Sequence, residues 1–524
     1  MNHTDLETIL ASIQIELLDD ELNKIPSTGQ LLCISNRPMG IIEELILYKL
    51  LIQKRKDFFY FNNTYLNDIK GLSLNHFVEN EYAEIDEVLQ QQQCFVLFPV
   101  GKISTYNANK KGYVDSQWNK TLIKKIYHQK SHVLPFYISI DNNEFHQLIP
   151  FMENKMMDYY TIIEFIKTNK VVFKVRIGKP IKTTNWQFEN SNQYGRFLRA
   201  KLYSLSSKLK VDLFFNEHKI VADIINPIDK ELIDEELKAI ESTNCIGEQN
   251  NFKVFICKAK KIPNTINEIG RLREIAFRKV GEGTNKPIDL DEYDIHYLHI
   301  FIYDTVQKQI AGAYRLGDGS YIMKTTGRKG FYLNSLFKIK KEFSLLLEDS
   351  IELGRSFVAV DYQNQRLPLF LLWKGIAYFI NNHPHIKYIL GPVSISNSYT
   401  TLSKSLIVDF IRKFHWDKFL SQFIRPKSPF NATYEGLDYE ILIESTQNSI
   451  KTLEEIIEDV DPINKKIPIL LKKYFAQNAR ILCFNVDPHF NNALDGFMLI
   501  DIRDIPKETL DTFVHLKEID YDNN

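Results

Sequence analysis

The sequence predicts an α/β protein of two domains, and three observations lead there. The chain has 524 residues, beyond the size at which a single hydrophobic core stops growing. Short apolar runs at 31–34, 58–61, 94–98, 133–138 and 170–177 alternate with stretches at helical spacing, the pattern of a mostly parallel sheet. Past Pro227-Ile-Asp229, an acidic helix over 230–242 and a polar stretch over 244–251 interrupt that pattern. They read as a connector, so the domains are placed at 1–244 and 245–524.

Composition narrows the function classes. The chain is 44% hydrophobic and 25% charged with a net charge of −1, ordinary for a globular protein. Whole-molecule attraction to nucleic acid is therefore not expected. Cys33, Cys94, Cys245, Cys257 and Cys483 lie far apart, without a CxxC pair. That spacing points away from a disulfide framework and a zinc site, and toward a reducing compartment. The N-terminal residues are acidic and lack a secretory apolar run. The longest apolar stretch, 367–380, is broken by Lys374 and is too short to span a bilayer. A cytoplasmic protein is expected, and 12% aromatic content leaves room for docking on a membrane surface.

In the first half, residues 5–24 have apolar positions at helical spacing, and a helix is expected over 41–53. The strand at 31–34 delivers Ser35-Asn36-Arg37-Pro38-Met39-Gly40 to a loop. This block, Glu43, Phe98-Pro99-Val100-Gly101-Lys102, Asp115-Ser116-Gln117-Trp118 and Arg176-Ile177-Gly178-Lys179-Pro180 together resemble the motifs of glycerolipid acyltransferases over roughly residues 30–182. The resemblance implies an N-terminal glycerolipid-acyltransferase-like α/β domain. It departs at the reacting positions. Arg37 stands where the family has a catalytic His, Glu43 where it has Asp, and Lys102 where a Glu follows the glycine, Gly101. A guanidinium with a pKa above about 12 is no general base at neutral pH, so this half is expected to be inactive. Tyr194 to Tyr203 reads as a basic amphipathic helix, suited to a membrane interface or to a solvated face.

The second half reads as a strand at 252–257, a helix at 266–280 closed by Gly281-Glu282-Gly283, and a hairpin of 297–303 with 309–316. A strand at 350–360, a helix at 368–381 and a strand at 388–394 follow. Arg273 and Phe277, Asp291 and Asp294, Arg315, and Glu352 with Arg355 are similar to the landmark positions of acyl-homoserine-lactone synthases. Gly391-Pro392-Val393-Ser394, Phe484-Asn485-Val486-Asp487-Pro488 and Leu494-Asp495-Gly496 look like the bacterial N-acyltransferases that acylate ornithine, glycine or a similar amino acid. The resemblance covers roughly 252–505. It implies a C-terminal GNAT-like mixed-sheet α/β domain that takes a 3-hydroxy fatty acyl group from acyl carrier protein, with no cofactor beyond that thioester donor.

The residue types suit that chemistry. An ammonium cannot attack a thioester until a carboxylate takes its proton. Glu352 is the first candidate, and Glu282 or Asp294 the second. Arg273, Arg315 and Arg355 could clamp an amino-acid carboxylate bidentately. The plain alternative is that Asp294, Arg273, Glu352 and Arg355 form a buried ion-pair cluster that shapes a pocket. His296 and His299 lack a further ligand pattern, so no metal is expected. Lys324, Arg328, Lys329, Lys338, Lys340 and Lys341 form a basic stretch able to dock the acidic carrier protein, or a solvated face. Phe370, Trp373, Tyr378 and Phe379 line a helix that serves as an acyl tunnel or, by its spacing, as plain core.

The resulting expectation is an aminolipid acyltransferase of bacterial lipid synthesis, peripheral on the cytoplasmic face of the membrane. Two rivals stand beside it: a bifunctional enzyme whose first half also O-acylates the lyso-lipid, and a non-catalytic membrane-associated scaffold.

Overall fold

Two separate sheets organise the protein in a computed structural model, which describes residues 6–38, 41–61, 77–78, 84–100, 105–107, 112–114, 117–140, 159–209, 221–434, 436–461 and 466–509. By contact, the chain divides into one unit of residues 1–213 with 433–466 and another of 214–432 with 467–524.

The first unit holds a seven-stranded sheet: β1 (Gln14–Glu16), β2 (Leu31–Ser35), β3 (Phe58–Phe61), β4 (Phe77–Val78), β5 (Cys94–Leu97), β6 (Val133–Ile140) and β7 (Val172–Ile177). The spatial order is β1-β7-β6-β2-β5-β3-β4. All pairs are parallel except β6 with β7. Every residue of β2 and β5 is buried, which explains their continuous apolar runs. Helix Ile41–Leu51 lies where the spacing places it.

The expected helix over 5–24 is not formed as one piece. Leu6–Ser12 is helical, Gln14–Glu16 pairs with Val172–Lys174, and Glu21–Lys24 is a 3-10 turn. Ladder hydrogen bonds at the sheet edge outweigh helical spacing there. Helix Ser191–Ser204 buries Tyr194, Phe197, Leu198 and Lys201. The Lys201 ammonium donates to Asp459, and Arg196 forms a two-point pair with Asp438. Part of the basic face expected on a membrane or in solvent is thus spent on carboxylates inside the unit.

The second unit is built on an eight-stranded sheet: β8 (Cys245–Gln249), β9 (Phe252–Lys258), β10 (Leu298–Asp304), β11 (Gln309–Asp318), β12 (Ser350–Val358), β13 (Tyr388–Ile395), β14 (Arg480–Asp487) and β15 (Ala493–Asp501). The order is β8-β9-β10-β11-β12-β13-β15-β14. Only β12 and β13 run parallel; the other neighbours are antiparallel.

Helix α1 (Lys230–Asn244), read from sequence as a connector, belongs to this second unit. The Tyr303 hydroxyl on β10 donates to Asp234 at 2.9 Å, and Ile233 and Leu237 are buried. Helix α2 (Pro263–Lys279) ends at Gly281, whose φ of +77° favours glycine. Helix α3 (Leu367–Asn381) packs on the face formed by Val254, Ile300 and Gly312; a Cβ on its Gly375 would come within 2.8 Å of Ile300. Phe379 is buried and stacks on His383, so this helix serves the core on that face.

Candidate active site

The sheet is incomplete at its centre. Strands β12 and β13 pair only at Ser350–Tyr388, Ile351–Ile389 and Glu352–Leu390, although they are 9 and 8 residues long. Beyond Glu352 they part. Gly391 marks the parting point, because a Cβ there would lie 2.2 Å from the Leu353 carbonyl oxygen. On the other side of β12 the ladder to β11 shifts register between Ala313 and Arg315. Gly354, Arg355 and Ser356 are half-exposed in the middle of a strand whose start is fully buried. A Cβ on Gly354 would meet nothing within 4 Å. There is open space at the heart of the sheet, and charged side chains border it.

The three arginines are used differently. Arg273, on α2 and 1% exposed, is clamped. Its Nε donates to Asp289 at 2.8 Å, its two terminal nitrogens donate to Asp294 at 3.1 and 3.0 Å, and Nη2 also donates to the Asp289 carbonyl oxygen. Burial pushes the Asp294 carboxyl up, but Arg273 and Arg315 together hold it well below the usual carboxylate range. Arg315, on β11, donates through Nη1 to Asp291 at 2.5 Å and lies 3.3 Å from Asp294, while its buried Nη2 makes no hydrogen bond. Arg355 donates one long hydrogen bond through Nη2 to Asp291 at 3.5 Å, and its buried Nε, 3.5 Å from Asp289, makes no hydrogen bond. The Tyr332 ring is shared by both cations, with Arg315 at 5.1 Å and Arg355 at 4.9 Å from its centroid. Arg355 holds φ +51°, a left-handed conformation that costs a non-glycine residue about 1–2 kcal/mol.

Glu352 is 1% exposed and fully engaged. One carboxylate oxygen accepts from the Leu333 amide at 2.6 Å; the other accepts from the Tyr332 amide at 3.0 Å and from the Tyr297 hydroxyl. Burial raises its pKa, and these bonds together with Arg315 oppose the rise. It ties the Tyr332 segment to the central strand. Glu282 follows Gly281 at the end of α2 and is half-exposed. His299 is buried, burial brings its pKa down to about 4, and its Nε2 lies 2.9 Å from the Asp294 carbonyl oxygen. It is a neutral wall residue.

The structure adds residues outside the sequence-based site. Asp289 completes the Arg273 clamp, and Tyr297 and Tyr332 form the aromatic wall. Ser394 and Asp495 face each other across β13 and β15, Ser394 Oγ donating to Asp495 Oδ1 at 2.6 Å. A carboxylate inside the otherwise apolar run 493–500 was the available signal.

Of the basic stretch, Lys324, Lys329, Lys338, Lys340 and Lys341 are exposed, whereas Arg328 is half-buried and donates to the Ile339 carbonyl at 2.5 Å. Lys338 is the cross-strand partner of Arg425, also exposed. Beside this ribbon, and away from the opening at Gly354, is a concavity of about 390 Å³ lined in part by Arg412, Trp416, Arg425 and Phe484. In the first unit, Arg37 donates to Glu44 at 2.8 Å and lies 5.2 Å from the Phe98 centroid; Glu43 is buried. Gly101 and Lys102 lie outside the described residues.

Residues 272–373 match the family model described as an acetyltransferase (GNAT) domain. The C-terminal half carries an acyltransferase domain. The chain is similar to a glycine N(alpha)-acyltransferase of Bacteroides thetaiotaomicron, 28% identical over 297 residues, which cover 54% of this chain and 87% of the relative. It is also similar to one of Phocaeicola vulgatus, 29% identical over 299 residues, covering 54% and 90%. Among solved structures, a CoA-dependent acyl-homoserine lactone synthase, BjaI, is 11% identical with a TM-score of 0.26, covering 51% of this chain and 89% of that one. The AHL synthase LasI is 15% identical with a TM-score of 0.20, covering 31% and 79%. Among the described residues no helix is long and apolar enough to cross a membrane.

Proposed function

We propose that the second unit moves a fatty acyl group, 3-hydroxylated, from an acyl carrier protein thioester to the α-amine of glycine or a comparably small amino acid, making a lyso-aminolipid. One observation carries this reading. Arg315 and Arg355 border the opening at Gly354 with buried N–H groups that have no hydrogen-bond partner. A buried, unsatisfied cationic donor costs more than about 1–3 kcal/mol, and an amino-acid carboxylate would satisfy both. Clamping that carboxylate fixes the α-nitrogen within the opening, and positioning alone lowers the barrier for a two-substrate reaction.

The remaining parts fit the same reaction. The parted edges of β12 and β13 offer strand-like hydrogen bonding to an extended thioester arm and to the oxygen that gains charge as the amine adds. Glu352 positions Tyr332, and through it the aromatic wall on which both guanidinium groups rest. The exposed Lys338–Arg425 pair places like charges side by side, unfavourable until an anion neutralises them, which suits an acidic carrier protein. An acylated product would bring the enzyme to the cytoplasmic face of the membrane as a peripheral protein. Arg37, at the position where the resemblance implies a catalytic His, donates to Glu44, and a guanidinium is no general base at neutral pH; we propose that this unit does not acylate.

The test uses the purified full-length protein, 3-hydroxyacyl-acyl carrier protein and a panel of amino acids. Free carrier thiol should appear with glycine, together with N-acylglycine by mass spectrometry. Absence of thiol with every amino acid would sink the reading. Supplying N-acylglycine as acceptor should give no diacyl product; its appearance would overturn the assignment of the first unit.

A further inference from the structure

Removing the amine's proton needs a carboxylate with a free acceptor near the clamp. Asp294 is held ionised between two arginines and is a poor base. Glu352 already accepts three hydrogen bonds. One other buried carboxylate is arranged differently.

Asp495, on β15, is 2% exposed. Its Oδ1 accepts from Ser394 Oγ at 2.6 Å, and among the described residues it makes no other hydrogen bond. Its partner strand β13 is the strand that separates from β12 at Gly391. The register places Ser394 on the same face as Leu390, hence as Glu352. The charged and titratable groups that act on Asp495 are Asp487 on β14, Glu282 beyond α2 and Arg355 on β12; Asp495 in turn acts on Tyr332. It therefore lies near Arg355 and Tyr332, two of the groups that border the opening, and on the sheet face that carries Glu352.

We propose that Asp495, held by Ser394, accepts the proton from the attacking amine. The inference rests on the N-acyl-transfer reading above. Asp495 takes one proton from the α-ammonium, the amine's lone pair forms the C–N bond to the thioester carbonyl, and the C–S bond breaks as the tetrahedral adduct collapses. The second nitrogen proton goes to the departing thiolate, giving carrier thiol, and Asp495 returns its proton to solvent. Burial raises the Asp495 carboxyl to about 7, with Asp487 and Glu282 adding to the rise and Ser394 and Arg355 opposing it. That value matches what a base working at neutral pH needs.

The experiment measures thiol release from 3-hydroxyacyl-acyl carrier protein with glycine across pH. The full-length protein should lose rate below an inflection near pH 7. Asp495→Asn should lower kcat by about 10²–10⁴-fold, leave the KM for glycine unchanged and remove the inflection. Asp495→Glu should recover part of the rate. Ser394→Ala, which deletes a bond that lowers the carboxyl's pKa, should move the inflection to higher pH without changing the glycine KM; this variant decides the matter if Asp495→Asn does not fold. An Asp495→Asn enzyme with wild-type kcat, or an unmoved inflection in Ser394→Ala, overturns the proposal. Wild-type protein that releases no thiol removes the acyl-transfer reading itself, a different failure from an active wild type with an equally active Asp495→Asn.

Discussion

Two buried carboxylates lie on one face of the second sheet and differ in what surrounds them. Glu352 accepts three hydrogen bonds, two from backbone amides; Asp495 accepts one, from a serine. The arginines divide the same way. Arg273 meets two carboxylates and a carbonyl, whereas Arg315 and Arg355 keep buried nitrogens without hydrogen bonds. One side of the cluster is saturated and fixes shape. The other has unmet capacity, which is what a substrate needs. Burial and charge alone do not separate structural from reactive groups; the count of satisfied hydrogen bonds does.

The sharpest challenge to this division is Arg273→Met. It leaves Asp289 and Asp294 buried with only the longer contacts from Arg355 and Arg315 and should cost about 3 kcal/mol of stability, the low end for a broken buried pair, measured by urea denaturation. Little loss would mean that the saturated side does not hold the fold. Glu352→Gln comes next. Its amide nitrogen must face a hydroxyl or amide donor, so a loss of about 1–3 kcal/mol is expected, with activity reduced through displacement of Tyr332. Full stability combined with abolished thiol release would instead make Glu352 the base.

On the open side, Asp495→Asn should stabilise the protein in a pH-dependent way. The folded carboxyl titrates at about 7, the unfolded one at about 4. The folded state thus binds the proton more tightly, and that contribution is complete below about pH 4 and lost as pH rises through about 7. The variant should gain of order 1–3 kcal/mol over wild type at pH 8 and nothing at pH 4. Arg355→Lys should leave stability nearly intact and raise the glycine KM about tenfold, about 1.4 kcal/mol, because an ammonium lacks the planar fork. The smallest effect belongs to Lys338→Glu, which should raise the KM for acyl carrier protein a few-fold at low salt and leave the glycine KM unchanged; no change would put carrier docking elsewhere.

Much of this was legible in the sequence, for definite reasons. Continuous apolar runs revealed β2, β5 and β10 because both faces of those strands are covered. Arg315, Glu352 and Arg355 stood out as charges within strands, Arg273 and Asp294 through the landmark positions they resemble, and the structure gathers all five in one cluster. What periodicity could not carry was pairing. Gln14–Glu16 became a strand only because β7 offers its edge, and α1 joined the second unit through Tyr303, 69 residues away in sequence. The roles of Glu352 and Asp495 also depended on distant partners: Leu333 and Tyr297 for one, Ser394 for the other.

Arg355 carries a final consequence. Its backbone adopts a conformation that glycine or asparagine would hold with less strain. A chain optimised for folding alone would place one of those residues at this point of β12. Local preference and side-chain identity thus conflict at a single position, and such frustration concentrates where a protein works. Arg355→Gly should fold at least as firmly as the wild type and serve its substrate worse. The strain at this residue measures, in units of stability, what the protein gives up to keep a guanidinium there.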